Sequence, residues 1–139
     1  MQTETLQSIS KLEGLLATAA LLEENVLATC KDDFLSYIRL IAPTLVSDWK
    51  MGQHIKLISQ KLQQIESGEI KRLMVFLPPR SSKSVICSKL FPAWYIGRHP
   101  EHEILTVSHS DQLSSDFGRS VRDIVNTELF QDIFRGVTL

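Results

Sequence analysis

At 139 residues, with 43% hydrophobic and 22% charged side chains, the chain has the make-up of one small globular domain or of part of a larger protein. A formal net charge of −1 neither demands nor excludes a nucleic-acid partner, because a local basic patch would suffice. Cys30 and Cys87 stand far apart, with no C-x-x-C and no metal-ligand spacing; this fits reduced thiols in a cytosol rather than a disulfide scaffold.

No basic segment precedes an apolar one at the N-terminus, so nothing suggests export. The longest apolar stretch, Leu15 to Leu22, is eight residues and too short to span a membrane. Residues 4–28 read as a helix, with Leu6, Ile9, Leu12, Leu16 and Ala19 as an apolar stripe and Glu13, Glu23 and Glu24 opposite. A packing or solvent-bridging helix is the preferred reading, and an oligomerisation or docking arm the alternative. Lys31-Asp32-Asp33 starts a second helix whose buried side is Phe34, Leu35, Ile38 and Ile41, and Pro43 is expected to end it. Trp49 reads as a packing anchor.

Gln53 to Ser67 is the clearest helix, with Ile55, Ile58, Leu62 and Ile65 at three-four spacing and Gly68 where a left-handed cap belongs. Leu73-Met74-Val75-Phe76-Leu77 is an apolar run of strand length, and its near-continuous apolarity predicts a strand over 72–77 covered on both faces. Pro78-Pro79 stops it. A helix from Lys83 to Gly97 follows, apolar on most sides, with Pro92 predicting a kink or break near Lys89. Residues 103–107 form the next expected strand, giving a right-handed βαβ unit. Ser108 or Ser110 caps a helix over 110–127, with Leu113, Phe117, Val121, Ile124 and Val125 on its apolar face and Arg119 and Arg122 near the other. Arg119 and Arg122 read as a solvated basic face or as a DNA- or neighbour-facing surface. Leu129, Phe130, Ile133 and Phe134 make a short helical cap, and Gly136 to Leu139 looks like a turn entering another strand.

Between the first strand and its helix lies Pro79-Arg80-Ser81-Ser82-Lys83-Ser84. A strand, a tight polar loop, Lys-Ser and a helix are the layout of a phosphate-binding loop. Successive backbone N–H groups make an anion-binding concavity, and the helix points its positive end at the same spot. Lys83 would sit on the outer phosphates, and the Ser84 hydroxyl would hold Mg2+. Against the pattern G-x-x-x-x-G-K-[ST], Leu77 stands at the first glycine and Ser82 at the second. A basic strand-to-helix turn with a solvated Lys83 is the plain alternative.

The run RLMVFLPPRSSKSVICSKLFPAWYIGRHPEHEILTVSHSDQLSSDFGRSVRDI resembles the start of the ATPase domain of tailed-phage terminase large subunits, the motors that package DNA into capsids. MGQHIKLISQKLQQIESGEI before it and LFQDIFRG after it extend the resemblance from about Asp32 onward. It implies an α/β fold, a partial P-loop NTPase type: parallel strands with flanking helices, preceded by an all-helical N-terminal segment. The division is a helical segment over 1–50 and an incomplete ATPase domain over 51–139, with its phosphate loop over 77–84.

The implied cofactors are ATP and Mg2+, bound by Pro79, Arg80, Ser81, Ser82, Lys83 and Ser84. Arg80 would sense the terminal phosphate, with a surface salt bridge as its alternative, and Gln53 or His54 would contact the base, with a surface or N-terminal capping role as their equal alternative. The implied partners are double-stranded DNA, a portal and a small terminase subunit, with homo-oligomerisation in the whole motor in the bacterial cytoplasm and no membrane. The family keeps a glycine where Ser82 stands. No apolar run ends in paired acids, so the chain reads as the opening part of such a subunit, unable to turn over ATP alone and marginally stable. The alternatives are an inert prophage remnant or interaction fragment with a degraded loop, or another P-loop enzyme such as a kinase or helicase.

Overall fold

The computed structural model describes the backbone of residues 2–138 and the side chains of residues 11–138. Helix α1 (Gln2–Asp32) is built from Leu, Ala, Glu and other good helix formers with no proline. Among its described side chains only Leu27 and Cys30 turn inward, whereas Leu12, Leu15, Leu16, Leu21, Leu22 and Val26 are exposed. The expected apolar stripe is therefore uncovered where it can be seen; Leu6 and Ile9 lie outside the residues with described side chains.

Helix α2 (Phe34–Leu45) begins on the Asp33 carboxylate, which accepts the Ser36 N–H at 2.7 Å. Pro43 does not end it. The helix runs two residues further because a proline near the last turn removes only one N–H, and Val46 N–H still reaches the Ala42 carbonyl at 3.0 Å. Helix α3 (Gln53–Glu66) ends with Gly68 at φ 77°, the left-handed cap expected there.

From Lys83 to Arg98 the chain is one continuous helical run in three parts. These are α4 (Lys83–Val85), a π-helical turn (Ile86–Leu90) and α5 (Phe91–Arg98). The wide turn falls where Pro92 predicts a break, and the Phe91 N–H reaches back five residues to the Ile86 carbonyl. Helix α6 (Asp111–Val125) is capped by Ser110, whose hydroxyl accepts the Leu113 N–H, and α7 (Glu128–Ile133) by Thr127.

Trp94, Tyr37, Phe34, Phe130 and Phe134 fill the core. Each buried aromatic is worth about 1.5–3 kcal/mol over its exposed state. Phe34 and Trp94 pack with ring centroids 5.1 Å apart, and the Trp94 indole N–H donates to the Cys30 carbonyl at 3.0 Å. Arg98 lies over the Trp94 ring at 5.0 Å. It donates to Glu66 at 2.8 Å, to the Lys31 carbonyl at 2.8 Å and to Asp32 at 2.9 Å. One side chain thus ties the end of α1, the end of α3 and the end of α5 together.

The α/β expectation fails. Among the described residues every regular element is helical and none is a strand. Residues 72–77 and 103–107 share no backbone hydrogen bond with each other or with any other segment. A strand exists through its ladder, and apolar composition alone does not supply a partner. Leu73, Val75 and Leu77 do alternate inward against the core, but Met74 and Phe76 on the other face are 80% and 81% exposed. Leu105 and Val107 are likewise bare. The run was expected to be covered on both faces, and only one is. Val137 and Thr138 are not strand either, and Leu139 lies outside the described residues.

Two substitutions probe this packing. A Cβ at Gly97 would lie 2.6 Å from the buried Phe134 ring, so Gly97→Ala is expected to cost about 1–3 kcal/mol in urea unfolding. The Tyr37 hydroxyl is buried without a hydrogen-bond partner among the described residues; burial, with Cys30 adding to it, pushes its phenol above the usual range. Tyr37→Phe removes that unsatisfied group and is expected to raise stability by about 1 kcal/mol in the same assay.

Candidate functional site

The loop between the extended segment and the helical run carries the backbone strain of the chain. Arg80 and Ser82 are the two non-glycine residues with positive φ among the described residues, at 62° and 61°. An L-residue in that region costs about 1–2 kcal/mol, so the surrounding structure must hold it there. Ser82 (ψ 12°) is left-handed, and Lys83 directly after it is helical. A left-handed residue beside a right-handed one turns consecutive N–H groups toward one side, which is the backbone form of an anion nest. Ser82 therefore adopts the conformation that glycine takes most cheaply.

Two further features distinguish the loop. Arg80, Ser81 and Ser82 donate no backbone hydrogen bond among the described residues; the first capping bond of the run is Ile86 N–H to the Ser82 carbonyl at 3.1 Å. The Ser81 hydroxyl is buried and has no partner among the described residues. Buried polar groups are almost always satisfied, so an unsatisfied hydroxyl beside free amides marks a place suited to an acceptor-rich ligand.

Residues Leu77 to Val85 line a cleft of about 400 Å³, which brings together Pro79, Arg80, Ser81, Ser82, Lys83 and Ser84. Lys83 is half-buried and also borders the neighbouring groove with Leu73, Val75 and Cys87. Burial pushes the Cys87 thiol up although the Lys83 charge pulls the other way. Arg80 and Ser84 are exposed, and Arg80 makes no ion pair among the described residues, so the salt-bridge alternative is not its state here. Lys83 and Ser84 would be the residues to hold a nucleotide-bound Mg2+ and its phosphates. The donor set fits that group: one ammonium, one hydroxyl and several unengaged amides.

Of the two residues at the start of α3, His54 reaches the loop. Its Nε2 lies 3.2 Å from the Ser81 carbonyl. The ring folds back over Gly52, where a Cβ would meet it at 2.5 Å, so the glycine clears its path. Gln53 is exposed, does not line the cleft and makes no side-chain hydrogen bond among the described residues. Arg119 is exposed and bonded to Asp116 at 3.3 Å, and Arg122 is exposed; the helix presents them to solvent. His99, Glu101 and His102 gather at the far end of α5. Helical periodicity gave no hint of them; the spelling His-Pro-Glu-His, two imidazoles around a carboxylate, is the cue that could have.

Comparison with protein-family models, with curated proteins and with solved structures finds no match to this chain.

The strain at position 82 is directly measurable. Ser82→Val places a β-branched residue at positive φ and is expected to destabilise the chain by about 1–2 kcal/mol. Ser82→Gly is expected to leave stability equal or raise it by up to about 1 kcal/mol. Urea titrations of the two variants beside the parent chain check the order.

Proposed function

We propose that residues 77–84 bind the polyphosphate of ATP together with Mg2+. The observation that carries the reading is the strained turn: left-handed Arg80 and Ser82, unengaged loop amides and a buried unpaired Ser81 hydroxyl, all at the start of a long helical run. Backbone strain held at a ligand-sized cleft is the ordinary signature of a preorganised site. Lys83 would neutralise the outer phosphates, Ser84 would hold the metal, and Arg80 would reach the terminal phosphate as a mobile cation. When bound, Mg2+ supplies charge neutralisation on the phosphate oxygens. The His54 ring, 3.2 Å from the Ser81 carbonyl, would brace the loop from outside.

The likeness of Pro78 to Ser84, of Phe91-Pro92-Ala93-Trp94-Tyr95 and of Asp116-Phe117-Gly118-Arg119 to terminase large subunits extends the proposal. In that reading the chain is the nucleotide-binding portion of a DNA-packaging motor in the bacterial cytoplasm. Double-stranded DNA, a portal and a small subunit would be its partners, and the whole motor would self-associate. No helix among the described residues is long and apolar enough to cross a membrane.

A second reading has its own support. Met74, Phe76, Leu105 and Val107 are more than three-quarters exposed, and a serine occupies the glycine position. Both features suit an interaction fragment whose loop no longer binds nucleotide.

Titration with a fluorescent ATP analogue in Mg2+ separates the two. Saturable binding weakened at least about tenfold in Lys83→Ala, and more mildly in Arg80→Ala, is the expected result. Absence of saturable binding in both the parent chain and Ser82→Gly would overturn the nucleotide reading. In the same samples no Mg2+-dependent hydrolysis is expected, because no carboxylate lines the cleft to position water.

A further inference from the structure

The chain leaves α5 through a turn closed by the His102 N–H on the His99 carbonyl at 3.0 Å, with Pro100 at its second position. The turn is stiff, and it stacks the two imidazoles 5.0 Å apart at an interplanar angle of 11°. Tyr95 packs against both rings, at 4.9 Å and 5.8 Å. Glu101 lies between them: its Oε1 is 3.9 Å from His99 Nδ1 and 3.6 Å from His102 Nε2. One ligand atom from each of the three residues lies within 4.8 Å of the others.

The remaining ring nitrogens are engaged from behind. His99 Nε2 is 2.8 Å from Glu66 Oε1, and His102 Nδ1 is 3.0 Å from the Tyr95 hydroxyl. Glu66 is itself held in place by Arg98 Nε, which donates to it at 2.8 Å. A carboxylate only accepts, so Nε2 of His99 donates to Glu66, and Nδ1 is the nitrogen turned toward Glu101. His102 turns Nδ1 to the Tyr95 hydroxyl and Nε2 toward Glu101. Each imidazole is thereby fixed in orientation by a group behind it. This is the outer arrangement that metal-binding histidines use.

We infer that His99 Nδ1, His102 Nε2 and a Glu101 carboxylate oxygen form a binding site for a divalent transition metal, with Zn2+ as the preferred ion. Two imidazoles and a carboxylate are the donor set that Zn2+ and its first-row neighbours take, whereas Mg2+ and Ca2+ favour oxygen donors. The donor atoms stand wider apart than ligands on a common ion, and Glu101 and His102 are exposed enough to close in. The fourth position is left to water. The site lies on the turn after α5, separate from the loop at the other end of the same helical run, so it stands or falls independently of nucleotide binding.

The test uses untagged full chain and a chromophoric chelator competing for Zn2+, with Co2+ visible absorption reporting the geometry. The expected result is one Zn2+ per chain and a Co2+ spectrum of a four- or five-coordinate centre. His102→Ala, at a half-exposed position, should weaken Zn2+ at least about tenfold with helical circular dichroism unchanged. Glu66→Gln, which touches no metal, should weaken it about tenfold through His99, with helical circular dichroism unchanged. Cys30→Ser/Cys87→Ser should leave binding unchanged. Absence of stoichiometric Zn2+, or affinity untouched in a His99→Ala/His102→Ala chain, or loss in the cysteine variant would overturn the site.

Discussion

The hydrogen bond from the Trp94 indole to the Cys30 carbonyl fixes where the helices meet. It is buried, and it joins residues sixty-four positions apart. Cys30 belongs to the last turn of α1, whose carbonyls have no partners within the helix. Trp94 and Arg98 satisfy that helix end from the side, and Arg98 also neutralises Glu66. The long helix, the α3 C-terminus and the helical run behind the loop are thereby held by one aromatic ring and one guanidinium. An uncompensated Glu66, only 7% exposed in its side chain, would be costly to leave in place.

That anchor sits at one end of the Lys83–Arg98 run, and the strained loop sits at the other. Positive φ at two non-glycine residues persists only where neighbours over-determine it. Here the neighbours are the His54 contact on one side and the helix held by Trp94 on the other. Val85, at the helix start, packs against the core, so the loop is tied to the core through the helix.

Much of the helical layout was legible in the sequence. The acidic start of α2, the cap at one of Ser108 and Ser110, the Gly68 left-handed turn and the irregularity ahead of Pro92 each follow from local chemistry that a side chain carries with it. Extended structure does not. Leu73, Val75 and Leu77 show the inward alternation of a strand, yet the outward Met74 and Phe76 meet nothing. A ladder depends on a second backbone, which no property of the segment itself can supply. Unpaired extended backbone with bare apolar side chains is also a natural starting point for self-association. The loop was legible as a polar turn with Lys-Ser, but its two left-handed residues were not. Serine and arginine carry no preference for that conformation. The link from His54 to Ser81 and the pairing of His99 with Glu66 join distant positions, and no local pattern announces them.

The π-helical turn at Ile86–Leu90 gives the run one residue more than an α-helix of equal length would hold. Everything before it is rotated against everything after it by the arc of that surplus residue, about 100° in an α-helix. Lys83 and Ser84 face the cleft while Trp94 faces the core because of this offset. A lineage that lost a single codon in the turn would gain a smoother helix and misalign one end with respect to the other. The irregularity is thus the hinge-pin of the register, conserving two incompatible directions in one rod.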